Sequence, residues 1–414
     1  MVINMKNNYY LTNNILRRKY WFPNAIRSIP QRIGLMPRNK DIWVFGCWEG
    51  KRYDDNSRYL FEFVTKYHPE IQAFWITSNE KVFNELTANG KRVYMANSPE
   101  GLKTMRKAGA AFYTHAIDDF GYKCMLYSAF VIQLNHGPIG AKYLTYYDYT
   151  NLSFVIKFLK KLKRYLFDWF KFSYTTTTSR ACFEFWRKAY ALDNHDKILP
   201  LGMPRYDVLL NNSYCKTEIP DFVEDQFRYI LYMPTYRAYE NSVVSDFLNT
   251  IISNNELSNL LIRNKIKFIV KPHTMDRFNV PKDGYPDYII YLDNNTNYST
   301  QSLLYIADLL ITDYSSCCVD YTVRRKPVML YVPDFDLYQE SNGVAAEFQD
   351  IYLHESIVRS QAQAATELRG YADNGEYDMT ISDLIFDRFN KDSFTLDSYS
   401  KIITDFVISS LEKT

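Results

Sequence analysis

The sequence predicts an α/β protein with two Rossmann-like domains that face each other across a cleft. Short apolar, β-branched segments alternate with amphipathic segments from Ile42 onward, a pattern typical of parallel sheets with helical crossovers. The alternation is interrupted at LPLGMPRYD, residues 199–207, which contains proline and glycine as an interdomain hinge does, and then begins again. A chain of 414 residues has room for two or three such domains.

The individual elements follow in order from local patterns. Residues 1–37 are rich in Asn and Arg and contain Pro23, Pro30 and Pro37, which predicts an irregular lead-in. Predicted strands lie at residues 42–45, 73–76, 92–95, 110–114 and 130–134, then at 229–233, 267–270, 288–291, 309–312 and 328–331. Predicted helices lie at 57–66, 80–88 and 99–107, within 246–264 and at 396–411. The expected organisation is a lead-in (1–37), a first domain (38–200), a second domain (201–395) and a C-terminal helix (396–414) that crosses back onto the first domain, which resembles the GT-B architecture.

The composition excludes several classes of function. A formal net charge of +2 gives no global attraction to nucleic acid. The six cysteines form neither a CxxC pair nor a disulfide framework, which predicts a reducing cytoplasm. The N-terminus lacks the apolar core of a signal peptide, and no apolar run of about eighteen residues predicts a membrane span. The aromatic content of 17% suits sugar stacking or a membrane interface, and biased codon usage explains it equally well.

Polar side chains follow two predicted strands of the second domain. Residues 309–320 read LLITDYSSCCVD and residues 268–273 read FIVKPH, so each apolar run breaks into hydroxylic or ionisable residues where its strand would end. Open α/β sheets bind ligands at this edge. The first segment offers two serines ahead of a helix N-terminus, while Lys271 supplies a fixed cation and His273 a group that exchanges a proton near neutral pH. Together they predict a phosphate-handling site.

Six motifs occur in a fixed order between about residues 41 and 335. They are GKRYDDN from Gly50, NHG at 135–137, LGMPRYD from Leu201, ILYMPTYR from Ile230, KPH from Lys271, and TDYSSCCVDY from Thr312 with KP at 326–327. In these motifs the chain resembles the CDP-glycerol glycerophosphotransferase family, the teichoic-acid-polymerase-like enzymes of bacterial surface polymers. One departure follows NHG, where members usually continue His-Gly with Thr-Pro-Leu-Lys. Here Pro138, Ile139, Gly140 and Ala141 intervene before Lys142.

The resemblance implies a role for the histidine of two motifs. His136 would accept the proton of an acceptor hydroxyl, and its structural alternative is a histidine that satisfies loop carbonyls. His273 would hydrogen-bond the phosphate on which charge builds as the bond breaks, and its alternative is a structural histidine at a loop start. The implied donor-binding residues are Arg205, Thr235, Arg237, Lys271, Thr312, Asp313, Ser315, Ser316 and Asp320. The implied acceptor-binding residues are Gly50, Asp55, Asn56 and Gly137.

Several of these side chains also have a purely structural interpretation. Arg237 and Arg205 suit a bidentate phosphate clamp, but each is also a typical ion-pairing residue, Arg205 with Asp207. The two serines would bind phosphate or cap a helix, which uses the same geometry. The sequence has no P-loop and no HExxH motif, and the DFD tripeptide at 334–336 is expected at the surface. We therefore expect transfer without a metal ion or cofactor.

Residues 154–172, FVIKFLKKLKRYLFDWFKF, form a predicted helix with an aromatic face opposite a basic one. Such a helix can lie in the headgroup plane of an anionic bilayer, and the alternative is a helix packed on the sheet with a solvated basic face. The resemblance to enzymes that elongate lipid-linked polymers favours the membrane. The residues expected to contact it are Lys157, Lys160, Lys161, Arg164 and Trp169.

These observations predict an enzyme on the inner face of the bacterial cell membrane, with its oligomeric state open. The resemblance implies transfer of glycerol phosphate from CDP-glycerol to a hydroxyl of a lipid-linked or capsular glycan, with release of CMP. A CDP-ribitol transferase and a nucleotide-sugar glycosyltransferase are the alternatives within the same class. A catalytically silent, polymer-binding scaffold is the alternative from another class, and only the altered sequence after His136 supports it.

Overall fold

The computed structural model describes residues 29–32, 37–137, 153–156, 172–190, 192, 194–210, 219–237, 239, 243–273, 284–293, 298–341, 343–344, 348–395 and 397–413. They divide into two compact units. Of the described residues, the first unit takes those up to His136, those from 153 to 176 and those from Asp397 onward. The second unit takes Gly137 and the residues from Thr177 to Thr395.

A parallel sheet forms the centre of the first unit. Its strands are β1 (Asn39–Gly46), β2 (Gln72–Thr77), β3 (Val93–Met95), β4 (Ala108–Tyr113), β5 (Phe130–Gln133) and β6 (Tyr174–Thr176). They lie in the order β3-β2-β1-β4-β5-β6, and each is parallel to its neighbours. Because the strand order reverses between β1 and β4, the carboxyl ends of these two strands form a topological switch point, where open α/β sheets bind ligands.

Four α-helices precede β4 among the described residues, and a side chain caps the start of the last three. They are α1 (Ile29–Arg32), α2 (Asp55–Tyr67), α3 (Glu80–Ala88) and α4 (Pro99–Lys107). Asn79 accepts a hydrogen bond from the backbone N–H of Lys81 at the start of α3, and Ser98 accepts one from Gly101 at the start of α4. The core between α2 and the sheet is aromatic: Phe45 stacks on Phe112 with 4.8 Å between ring centroids and meets Phe61 edge to face.

A second parallel sheet forms the centre of the second unit. Its strands are β8 (Arg228–Met233), β9 (Ile266–Val270), β10 (Ile289–Tyr291), β11 (Leu309–Thr312) and β12 (Val328–Leu330), and they follow the short strand β7 (Ile198–Leu199). Their order is β10-β9-β8-β11-β12, and all are parallel, so β8 and β11 are neighbours at a second switch point. The described helices of this unit are α5 (Phe183–Ala189), α6 (Tyr206–Leu210), α7 (Val243–Ser253), α8 (Asn255–Arg263), α9 (Thr300–Ile306), α10 (Cys317–Thr322), α11 (Phe335–Ser341), α12 (Gln349–Tyr352), α13 (Gln361–Asn374) and α14 (Thr380–Phe389).

The chain enters the second unit at Thr177, earlier than the predicted boundary at Leu201. Contacts on the following segment explain the difference. The hydroxyl of Ser179 donates to Asp392 over 3.1 Å, and the ring of Phe185 in α5 meets Phe348 with 5.6 Å between centroids. These partners lie far along the chain, so the local hinge pattern near residue 201 does not mark the boundary.

The last helix, α15 (Tyr399–Glu412), packs in the first unit, where the ring of Phe406 contacts Phe130 and Tyr174. Among the described helices, none has both the length and the apolar character needed to cross a membrane. Of the predicted membrane helix, residues 154–156 and 172 are described. Lys157, Lys160, Lys161, Arg164 and Trp169 lie outside the described residues.

Candidate active site

A strained turn follows β1 in the first unit. Trp48, Glu49 and Gly50 have backbone φ angles of 48°, 56° and 75°, a left-handed run that disfavours residues with a side chain. The buried carboxylate of Asp119 accepts a hydrogen bond of 2.7 Å from the N–H of Glu49, and the carbonyl of Gly50 accepts one of 2.8 Å from the N–H of Ser78. Gly50, expected to contact the acceptor, is buried and fixes this turn instead.

His136 follows β5 on a backbone that buried amides hold in place. Asn135 has a φ of 57°, and its side-chain amide donates to the Thr175 hydroxyl and, over 2.6 Å, to the Thr176 carbonyl. The amide of Asn56 in α2 donates to the carbonyl of Asn135 over 2.8 Å. The backbone before His136 is thus tied to α2 and β6, while the His136 side chain itself is exposed, as a base that meets an incoming hydroxyl must be.

The other predicted acceptor residues are partly or fully buried. Asn56 is fully buried, so the structure gives it the role of positioning His136 in place of direct acceptor contact. The carboxylate of Asp55 accepts a hydrogen bond from the N–H of Asn56 at the start of α2. Gly137 is buried next to His136, and residues 138–142, where the motif departs from the family, lie outside the described residues.

In the second unit, two ionisable side chains follow β9. Lys271 donates from Nζ to the carbonyl of Asp293 over 3.3 Å, and its backbone N–H donates to Tyr232 in β8. Burial lowers the pKa of Lys271, and the charge of Asp293 opposes this. His273 is exposed, with its ring 5.8 Å from that of Tyr236. Both side chains lie at the carboxyl edge of the sheet, where the sequence predicted them.

Hydroxyl groups follow β11 at the same carboxyl edge of the sheet. Ser315 and Ser316 are half-buried, and the Ser315 hydroxyl accepts a hydrogen bond of 3.3 Å from the N–H of Cys317, so Ser315 acts as a cap. Ser316 directly precedes α10 and makes no capping hydrogen bond. The Thr312 hydroxyl is fully buried and donates to the carbonyl of Met233, which makes Thr312 a tie between β11 and β8 and not a phosphate ligand.

Arg237 lies in a buried ionic network. Its guanidinium donates to the carboxylates of Asp313 and Asp334 and to the Thr235 carbonyl, and it is 3% exposed. Asp313 also accepts from the N–H groups of Thr235 and Tyr314. The phosphate clamp expected of Arg237 and the ligand role expected of Asp313 are therefore replaced by ion pairing in this structure. The hydroxyl of Thr235 has no hydrogen-bond partner among the described residues.

Asp334 corrects the prediction that the DFD tripeptide lies at the surface. Its carboxylate is 9% exposed and accepts hydrogen bonds from Arg237, Tyr239 and Tyr314, whereas Asp336 is exposed as expected. The sequence signal is weak, because a lone acidic tripeptide in a proline-containing loop is usually solvated. A partner 97 residues earlier in the chain is what buries Asp334.

A second buried ion pair involves Arg205. Its guanidinium donates to Asp320 in α10 over 2.8 Å, and Gln301 donates to the same carboxylate over 3.2 Å. The sequence suggested Asp207 as the partner of Arg205, but in the structure Arg205 pairs with Asp320. Arg205 and Asp320 are 5% and 2% exposed, so neither is offered to a ligand, and the pair anchors the LGMPRYD motif within the second unit.

Known proteins resemble this chain in sequence and in fold. A teichoic acid poly(glycerol phosphate) polymerase of Staphylococcus epidermidis is 23% identical over 411 residues, which cover 91% of this chain and 54% of that protein. The chain therefore spans about half the length of that polymerase. Two solved structures of the wall teichoic acid polymerase TagF, one of a variant soaked with CDPG for 15 minutes, superpose on the whole chain and on 99% of theirs. Their TM-scores are 0.70 and 0.67 and their identities 21% and 20%.

This likeness in structure confirms the predicted α/β fold class with parallel sheets. The resemblance drawn from the six motifs is confirmed independently. The model of the CDP-glycerol:poly(glycerophosphate) glycerophosphotransferase family matches residues 31–395, which contain every motif named above and parts of both units, and the chain belongs to that family.

Proposed function

We propose that the chain transfers glycerol phosphate from CDP-glycerol to a hydroxyl of a teichoic-acid-type acceptor and releases CMP. The observation that carries the proposal is the group of cationic and hydroxyl side chains at the carboxyl edge of the second sheet, in a chain that the family model matches over residues 31–395. The accessible members of this group are Lys271, His273, Ser315 and Ser316, whereas the Thr235 hydroxyl is buried. The arginines and aspartates around them are buried in ion pairs and hold the loops in place.

In the proposed reaction, His136 accepts the proton of the acceptor hydroxyl, whose oxygen attacks the β-phosphorus of CDP-glycerol. The bond from that phosphorus to the oxygen of CMP breaks, and its electron pair leaves with CMP. Lys271 and His273 stabilise the charge that develops on the phosphates, and the hydroxyl of Ser316 orients them. Positioning and preorganised charge supply most of the acceleration in such a transfer. No metal ion or cofactor is needed for these steps.

The donor is tested by following CMP release with CDP-glycerol, CDP-ribitol and nucleotide sugars. We expect turnover with CDP-glycerol to exceed that with the others by more than about tenfold, and chelator to leave most of it intact. A clear preference for CDP-ribitol or a sugar would assign the site to one of the alternative donors. A loss of turnover on chelation that added metal restores would refute transfer without metal.

The role of His136 is tested by His136→Ala. We expect transfer to fall below detection while the affinity for CMP changes by less than about twofold, because the base acts on the acceptor and not on the donor. His195→Ala is the matched control, since His195 is an exposed histidine paired with Glu184 and should leave both quantities unchanged. Equal loss of transfer and CMP affinity in His136→Ala would show that the role is misassigned.

We further propose that the acceptor is lipid-linked and that residues 154–172 hold the enzyme on the inner face of the membrane. Phe154, Val155 and Ile156 support this, because they are 83%, 63% and 44% exposed, an unusual accumulation of apolar surface at one point of the chain. The basic residues that follow them in sequence suit an anionic headgroup layer.

A further inference from the structure

Three aromatic rings form a row at the carboxyl edge of the first sheet, with the ring of His115 between those of Trp48 and His136. The imidazole of His115 stacks on that of His136, with 4.3 Å between centroids and 12° between ring planes. His115 also contacts the indole of Trp48, with 3.7 Å between centroids. The guanidinium of Arg52 lies 4.7 Å from the Trp48 ring. His115 is thus the link between His136 and the strained turn after β1.

The backbone of His115 is held on both sides by hydrogen bonds. Its N–H donates to the buried carboxylate of Asp119 over 3.0 Å, and its carbonyl accepts from the side-chain amide of Gln133 over 3.2 Å. Gln133 is the last residue of β5, the strand that leads to His136. Asp119 also binds the N–H of Glu49, next to Trp48. Hydrogen bonds therefore connect the backbone segments that carry the three rings.

We propose that His115 is a positioning residue that fixes the ring orientation of His136 for proton transfer from the acceptor hydroxyl; this rests on the function proposed above. The buried amides of Asn56 and Asn135 fix the backbone before His136, whereas its two side-chain torsions depend on contacts of the ring, of which the stack on His115 is one. A parallel stack restricts both torsions, because rotation about either one breaks the ring contact. General-base catalysis requires such alignment with the proton that is removed.

The stacking role predicts a specific pattern in two variants of matched size. His115→Leu removes the planar ring and keeps the volume, whereas His115→Phe keeps a planar ring and removes both nitrogens. Because aromatic pairs shift an equilibrium by about two- to tenfold, we expect His115→Leu to lower kcat by about that factor. The KM for CDP-glycerol and the affinity for CMP should stay within about twofold of the original chain. His115→Phe should recover most of kcat, since the contact with His136 returns.

The experiment measures kcat and KM from CMP release, CMP affinity by titration and folding by thermal unfolding. His68→Ala, at another half-buried histidine of the first unit, is the control and should leave kcat unchanged. The proposal is overturned if His115→Leu retains full kcat, or if His115→Phe is as impaired as His115→Leu. A rise in the KM for CDP-glycerol at unchanged kcat would also overturn it. Absence of transfer in the original chain would instead refute the proposed function itself, and with it this role.

Discussion

Arg237 is buried between Asp313 and Asp334, where the sequence predicted an arginine that clamps phosphate. Burial alone would lower the pKa of Arg237, but the charge of Asp313 and the hydrogen bonds that Arg237 donates to Asp334 raise it above its ordinary value. The guanidinium therefore stays charged and bonded within the protein. Its partners connect the loops after β8, β11 and β12, so it holds these loops of the candidate donor site together.

Replacing Arg237 should therefore lower the free energy of unfolding more than it weakens donor binding. Arg237→Ala leaves two buried carboxylates without their counter-charge, and breaking a buried ion pair from one side costs about 3–5 kcal/mol. We expect a loss of that order in the free energy of unfolding, measured by urea denaturation. Arg263→Ala, at an exposed arginine that pairs with Asp373, should cost less than about 1 kcal/mol. Full stability combined with weakened CDP-glycerol binding in Arg237→Ala would restore the clamp interpretation.

At the scale of residues, the motifs located the site but did not distinguish ligand contacts from supports. His136, Lys271, His273, Ser315 and Ser316 are accessible, as a functional interpretation requires. Arg237, Thr312, Asp313 and Asp320 carry the same kinds of group but are buried, and burial depends on partners far along the chain. His115 carried no signal at all, because its importance lies in a ring contact and not in a motif.

At the scale of elements, most strands and helices could be predicted because their signals are local. Strand β11 and helices α3 and α4 have the predicted bounds, since an apolar β-branched run marks the strand and Asn79 and Ser98 mark the helix starts. Strand β6 was not predicted, because its sequence YTT contains no apolar run. It is a strand because Thr175 pairs with Gln133 of β5, a contact that no local pattern announces.

The turn after β1 gives a test of backbone strain. Gly50 and Gly90 both have left-handed φ angles, 75° and 67°, so alanine at either position costs roughly 1–2 kcal/mol of backbone strain. A Cβ at Gly50 would lie 2.9 Å from the backbone nitrogen of Ser78, whereas one at Gly90 would have no heavy atom within 4 Å. We expect Gly50→Ala to lower the free energy of unfolding by about 1–3 kcal/mol more than Gly90→Ala, in urea denaturation. Equal effects would mean that the Ser78 contact relaxes without cost.

Asp119, which binds the same turn, should make the free energy of unfolding depend on pH. Burial raises its pKa to about 6, against hydrogen bonds from the N–H groups of Glu49, His115 and Thr114 that lower it. Because folding favours the neutral carboxyl, the stability contributed by Asp119 is full below the unfolded pKa near 4 and is lost as the pH rises through 6. The shift corresponds to about 3 kcal/mol in total, of which about 2 kcal/mol falls between about pH 4.5 and pH 7.

The Asp119→Asn variant should lack this component, because an amide does not ionise. We expect the stability of the variant relative to the original chain to rise by about 2 kcal/mol between about pH 4.5 and pH 7, measured by urea denaturation at both values. Asp41→Asn, at an exposed aspartate of β1, controls for the loss of one carboxylate. A constant difference between Asp119→Asn and the original chain would show that the backbone hydrogen bonds outweigh burial and keep Asp119 ionised.

At the scale of the whole molecule, the two sheets share one topology. In each, the strand order reverses in the middle of the sheet, and candidate catalytic or binding residues follow strands near that point. His136 belongs to the first unit, and Lys271, His273 and the two serines belong to the second. The alternation of strands and helices predicts this plan, and the family model covers both units. What the alternation does not supply is the attachment of the molecule to its acceptor, for which residues 154–172 are the candidate.

That attachment can be tested with the full chain on liposomes. The first variant replaces Lys157, Lys160, Lys161 and Arg164 with glutamate. Each basic residue near an anionic surface contributes about 1 kcal/mol and is screened by salt, so this variant should dissociate from anionic vesicles in a sedimentation assay while its CMP affinity stays unchanged. The matched control carries the same change of charge at exposed lysines of the first unit, Lys81, Lys103, Lys401 and Lys413. Retained binding by the first variant, or equal loss in the control, would mean that net charge or another surface holds the protein at the membrane.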